Sequence, residues 1–317
     1  MGALAVFSLD LAQQVLLKVV FGLLGFFTVL FYTWRAVKPK AFLKEMIDRT
    51  LSWWVIVLLY LVFFCIHPIL GFLGLGALAL GSFRELTGKL DEESMPRSLR
   101  GLALATIPVQ FYLSYTGSLL AVTALIPAGF LIVASIFALM FEQVKGIRTG
   151  PATALWALLL TTYGLSLLAL LLSLPPIQSD KVVQTSGLFA YYLFLTQFND
   201  VLQFLWGTIF GRHYITPTIS PKKTWEGLIG GMFTTIALAY VLRFLTPFTE
   251  AQSAIVGALL ALTGFLGDLT LSAFQRSLDL KDMGRLIPGH GGLLDRIDSI
   301  TLSSITYFYL IYYWYYA

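Results

Sequence analysis

Ten apolar runs, at roughly residues 11–34, 51–66, 68–86, 100–117, 119–141, 152–173, 187–207, 227–246, 252–274 and 299–316, leave this chain few ways to fold. A helix crosses the hydrocarbon of a bilayer with about 20 residues, and every backbone polar group within it must be satisfied internally. Ten such runs and their connections use up the 317 residues. Charged residues make up 12% of the chain, against about 25% in soluble domains. The expected fold class is therefore all-α, a polytopic integral membrane protein with about ten transmembrane helices. We expect one membrane-embedded domain over 1–317, comprising an N-terminal span and basic loop (1–50), scaffold spans (51–186) and a region that carries the polar motifs (187–317). The sole cysteine, Cys65, excludes an intrachain disulfide and a cysteine-built zinc site.

The cations alternate between connections. Arg35, Lys38, Lys40, Lys44 and Arg49 follow the first run, Arg84, Lys89, Arg97 and Arg100 the third, and Lys145 and Arg148 the fifth. Arg212, Lys222 and Lys223 follow the seventh, and Arg276, Lys281, Arg285 and Arg296 the ninth. Together these are 18 of the 21 Lys and Arg residues. By the positive-inside rule that face is cytoplasmic, with both termini on the far side. The net charge of +4 thus reflects topology and calls for no nucleic-acid partner.

Against this apolar background the segment 267–299, GDLTLSAFQRSLDLKDMGRLIPGHGGLLDRIDS, is conspicuously polar. Ionisable groups so close to a span are costly and point to a site. Asp268 lies inside an apolar run, where its alternatives are a salt bridge to Arg276 or a metal or proton site. Asp295 and Asp298 stand three apart, a spacing that puts both carboxylates on one helix face. Carboxylates without a thiol or imidazole cluster form an oxygen-only set, which suits Mg²⁺ with phosphates as its remaining ligands. Pro288 and glycines 289, 291 and 292 form a turn that could cradle phosphate or simply connect two spans, and His290 between them could contact phosphate or move a proton. A second block, ISPKKTWEGLIGG at 219–231, reads as a helix starting at Ser220 and Pro221. Lys222 and Lys223 then fall in its first turn, where cations oppose the helix dipole unless an anion is bound. Asn199 and Asp200 add polar groups within the seventh run. Arg84 and Glu85 could touch a lipid headgroup but read better as a solvated loop, and the segment 85–98 reads as a polar loop beside the scaffold.

SPKKTWEG, followed by the spaced pattern GDL, S, R, KD, G, PGHGG, DR and DS, resembles the signature of the phosphatidate cytidylyltransferases, also called CDP-diacylglycerol synthases. With the span pattern, the similarity covers roughly residues 50–317. The resemblance implies Mg²⁺-dependent transfer of CMP from CTP to phosphatidic acid, with release of pyrophosphate. It places the metal on Asp268, Asp295 and Asp298, with room for a second cation, and adds Lys281 and His290 to the catalytic set. Substrate contacts would fall on Asp200, Ser220, Lys222, Lys223, Thr224, Glu226, Ser272, Arg276, Asp282, Gly291, Gly292 and Arg296. Partners would be CTP, phosphatidic acid or a related lipid phosphate, and membrane lipids, with a homodimer expected by family analogy alone. The location implied is a bacterial inner membrane, with the active site on the cytoplasmic face.

Two departures stand out. The family carries Lys-Arg where this chain has Gln275-Arg276, and the stretch after Asp200 places Gln203 and Thr208 in unfamiliar company. These changes raise the alternative of a weak or inactive paralogue, or of a different lipid phosphate as substrate. An ion-coupled transporter would also carry intramembrane acids, but its polar groups belong near the midplane. The DG-x-x-AR core of the phosphatidyltransferases is absent.

Overall fold

A computed structural model describes residues 11–37, 47, 50, 51, 54, 55, 57, 58, 60–63, 67–140, 149–178, 182, 183, 185–280, 283, 284 and 292–317. Helices occupy the expected runs. They are α1 (Leu11–Val37), α2 (Pro68–Thr87), α3 (Arg97–Tyr115), α4 (Leu119–Met140), α5 (Gly150–Ser173), α6 (Thr185–Phe210), α7 (Trp225–Val241), α8 (Glu250–Ser277) and α9 (Asp298–Tyr315). The described positions between 47 and 63 are helical as well. Among the described residues six helices are long and apolar enough to cross a membrane: α1, α2, α4, α5, α8, and α7 with its extension to Leu245. The others carry more polar groups, such as Gln197, Asn199, Asp200 and Gln203 in α6.

Helix boundaries follow local chemistry. His67 is extended and its ring accepts from Ile69 N–H at 3.3 Å, with Pro68 in the first turn where its missing N–H costs nothing. Pro108 does not end α3, which continues through it to Tyr115. At α8, Thr249 and Gln252 form a reciprocal capping box.

The most enclosed helix is α5, with 78% of its apolar stretch buried. Helices α6 and α9 join through aromatic groups: Tyr192 and Tyr307 stack at 4.9 Å, and their hydroxyls donate to Ile300 C=O and Leu188 C=O. In a bundle surrounded by lipid, close packing and interhelical hydrogen bonds carry the association. On α3, buried Gln110 donates to Val122 C=O at 2.8 Å and Ser166 Oγ at 2.9 Å, tying it to α4 and α5.

The tightest group is α6, α7 and α8. Asn199 Oδ1 accepts from Gln203 Nε2 at 3.0 Å and from Thr235 Oγ1 at 3.1 Å, while Gln203 also donates to Ala261 C=O. Gly231 leaves the space that Gln203 fills, since a Cβ there would meet the Gln203 backbone at 3.0 Å and overlap its side chain. The unfamiliar Gln203 is thus a packing residue, and Thr208 bonds back to Phe204 C=O within its own helix.

Among the described residues two short antiparallel hairpins interrupt the helices: β1 (Ile177–Gln178) with β2 (Val182–Val183), and β3 (Tyr214–Thr216) with β4 (Ser220–Thr224). In the second, Tyr214 opposes Thr224 and Thr216 opposes Ser220, with a bulge between.

Gly231→Val should lower stability by about 1–3 kcal/mol through overpacking against Gln203. Gly101→Ala, which meets open space, should stay within about 0.5 kcal/mol. Thermal unfolding of the detergent-solubilised protein compares the two.

Candidate functional site

The expected helix start at Ser220 and Pro221 is corrected by the structure. Residues Ser220–Thr224 are a strand, and the helix begins one residue after Thr224. Extended Thr224 (φ −123°) caps α7 by accepting from Gly227 N–H at 3.2 Å. The consequence is alternation, because successive strand side chains point to opposite faces. Lys222 is exposed, whereas Lys223 turns inward.

Lys223 Nζ lies 2.6 Å from Asp268 Oδ2, 4.4 Å from the Phe265 ring centroid and 3.4 Å from Phe265 C=O. Ser272, one turn along α8, donates to Asp268 Oδ1 at 3.2 Å. Beside this pair α8 meets α9. A Cβ on Gly267 would overlap the Asp298 backbone, so glycine there lets the two chains touch and brings Asp268 and Asp298 side by side. Asp298 and Asp268 interact electrostatically with each other and with Asp200 of α6, and Lys223 and Arg296 supply the opposing charge. Three carboxylates against two cations leave the half-buried cluster short of positive charge. Ser299, whose hydroxyl is buried, faces Asp200.

Asp295 is organised differently. Its Oδ1 accepts from Gln275 Nε2 at 2.5 Å, and its Oδ2 accepts from Gly292 N–H at 2.7 Å and Met283 N–H at 3.3 Å. The expected single helix face for Asp295 and Asp298 does not form. Leu294–Arg296 is a 3₁₀ turn, and Ile297 (φ −113°, ψ 5°) breaks it from α9. The two carboxylates therefore belong to different local frames. Among the described residues no three His, Cys, Asp or Glu side chains stand together as a metal-binding group. Gln275 explains itself here: it is 7% exposed, and its amide occupies one Asp295 oxygen.

Other expected substrate contacts do structural work. Arg276 donates from Nε to Ile219 C=O at 3.2 Å and from Nη1 to Leu280 C=O at 2.7 Å, fastening the hairpin to the end of α8. Glu226 accepts from Arg212 N–H at 3.1 Å and His213 N–H at 3.2 Å through Oε2, with His213 Nδ1 2.5 Å from Oε1. It anchors the chain between α6 and β3. Ser220 lies at the start of β4, beside these groups. Lys281, Asp282, His290 and Gly291 lie outside the described residues.

Two participants escaped sequence reasoning. Phe265 looks like any apolar residue of α8. Glu85, read as part of a solvated loop, is in the last turn of α2, and its Oε2 accepts from Leu294 N–H at 2.8 Å. An acid at a helix C-terminus opposes the dipole, and that was the available signal.

A model of the cytidylyltransferase family matches residues 47–314, which include every group just described. The chain belongs to that family. It is 40% identical over 187 residues to the uncharacterized protein YnbB of Escherichia coli (strain K12), covering 59% of this chain and 61% of that protein. It is 46% identical over 108 residues to a phosphatidate cytidylyltransferase of Mycobacterium tuberculosis (strain ATCC 25618 / H37Rv), covering 34% of this chain and 33% of the relative. Against the enzyme of the same name from Staphylococcus aureus (strain COL), identity is 40% over 111 residues, 34% of this chain and 43% of the relative. The chain thus matches less than two thirds of the length of each. Within the cytidylyltransferase family, the six apolar helices found among the described residues and the polar cluster shared by α6, α8 and α9 place this chain among membrane-embedded members.

Glu226→Ala should release the Arg212 and His213 amides. Hydrogen exchange should rise across 211–216 while the melting temperature of the helical bundle changes little.

Proposed function

We propose that this protein transfers the cytidylyl group of CTP to a lipid phosphate, with phosphatidic acid as the expected acceptor. The observation that carries the reading is the cluster in which Lys223 of β4, Asp268 within α8, Asp298 at the start of α9 and Asp200 within α6 meet, in a chain of the cytidylyltransferase family. A lipid phosphate is already a nucleophile. One of its oxygens attacks the α-phosphorus of CTP, the bond to the β-phosphate oxygen breaks, and pyrophosphate leaves, so no covalent enzyme intermediate is required. The protein's task is to align two polyanions and offset their repulsion.

Lys222, exposed on β4, is available to an incoming phosphate, and Lys223 holds Asp268 in place from the opposite face of the strand. Arg276 and Glu226 fix the hairpin that presents both lysines. Mg²⁺ is commonly held by one or two carboxylates together with substrate phosphates. Asp268 and Asp298 supply such a pair, and the deficit of positive charge around them favours a cation. When bound, the ion would neutralise phosphate charge. Asp295 enters the reading through its hydrogen bonds to Gln275, Met283 and Gly292, which shape the adjoining segment.

The distribution of cations supports a site on the cytoplasmic face, where CTP is found. Membership of the cytidylyltransferase family weighs against the transporter alternative.

Purified protein incubated with labelled CTP, Mg²⁺ and a panel of lipid phosphates should form a CDP-lipid with phosphatidic acid. Asp268→Asn and Asp298→Asn should each lower that rate by about 100-fold or more while the protein still inserts and purifies. Absence of any CDP-lipid across the panel, or near-normal rates in both variants, would overturn the reading.

A further inference from the structure

The end of α2 belongs by sequence to the scaffold, yet it is built to receive the polar segment. Gly81 and Glu85 stand four apart and share a helix face. A Cβ on Gly81 would come within 2.6 Å of Leu293 Cδ2, so this glycine leaves room for Leu293. One turn later Glu85 meets the next residue, accepting the Leu294 N–H through Oε2. Its other oxygen lies between two glycines. A Cβ built on either Gly284 or Gly292 would overlap Glu85 Oε1, and the Cβ on Gly284 would stand 3.3 Å from Gly292 Cα. The carboxylate therefore sits where the described ends of the 283–296 segment meet. Met283 and Leu294, flanking this point, are fully buried. Asp295 secures the same junction from the other side through Met283 N–H, Gly292 N–H and Gln275.

We propose that Glu85 is a positioning residue: its carboxylate clasps Gly284 to Gly292 and holds the Leu294 amide, setting the frame in which Asp295 meets Gln275 and in which Arg296 and Asp298 reach the cluster. An ionised acceptor on a backbone N–H makes one of the stronger hydrogen bonds available. Placing that acid at the unfavourable end of a helix is understandable once the bond is counted. The requirement for glycine at 284 and 292 then follows from the approach of Glu85, with no bound anion needed to explain it. The kinetic part of the test rests on the transferase reading; the exchange part does not.

The experiment uses full-length protein in detergent, comparing wild type with Glu85→Ala, Glu85→Gln, Gly292→Ala and the double variant Glu85→Ala/Gly292→Ala. A glutamine oxygen still accepts from Leu294 N–H and should keep the segment in place. Amide exchange in peptides covering 292–297 should rise about tenfold in Glu85→Ala and stay near wild type in Glu85→Gln. Gly292→Ala should loosen the segment in the wild-type background but add little in the Glu85→Ala background, since the clash partner is gone. In CMP transfer, Glu85→Ala should lower kcat by about 10–100-fold, with a smaller change in KM for CTP and recovery in Glu85→Gln. Unchanged exchange in Glu85→Ala, full additivity with Gly292→Ala, or a Gln variant as impaired as Ala would overturn the proposal. If wild type transfers no CMP to any lipid phosphate, the transferase reading fails, and the exchange pattern alone decides whether Glu85 is the clasp.

Discussion

Charge compensation among Asp200, Asp268 and Asp298 governs the polar cluster of this bundle. Each acid comes from a different helix, and like charges in a poorly hydrated setting repel unless cations intervene. Lys223 reaches them because β4 is a strand, because Thr224 ends it with a cap, and because Glu226 and Arg276 secure the hairpin at both sides. The helix contacts are equally specific. Gly267 lets α8 touch α9, and Gly231 lets α7 close over Gln203 of α6. The chemistry of the site thus rests on small residues as much as on charged ones.

The helices were legible because apolar runs of span length admit little else. Their ends fell within a few residues of the sequence reading even for α3, where Pro108 sits inside the helix. Asp268 and Lys223 were legible as candidate site residues because ionisable groups beside a span are rare, and the structure pairs them. What failed was local geometry. SPKK at 220–223 was read as a helix start, yet pairing with Tyr214–Thr216 makes it a strand, and a contact across a turn is not visible in a window of a few residues. The three-residue spacing of Asp295 and Asp298 implied one helix face, but a 3₁₀ turn and a break at Ile297 separate them. Glu85 was missed because its partner Leu294 is more than two hundred positions away in the chain.

Gln275 shows how a departure from a family pattern can be absorbed. In place of a charge it offers an amide donor, which is buried and bonds to Asp295 at 2.5 Å. A neutral donor satisfies the acid's oxygen without cancelling its charge, so the region is more electronegative than a lysine would leave it.

The alternation along β4 has a consequence for how such a chain can diverge. Because Lys222 and Lys223 face opposite sides only while the strand keeps its length between Ile219 and the Thr224 cap, a one-residue insertion or deletion there would exchange their roles at a stroke. Change in this hairpin is therefore confined to replacing side chains at fixed positions. The α-helical connections farther from the cluster carry no such restriction, and evolutionary drift in length should accumulate there instead.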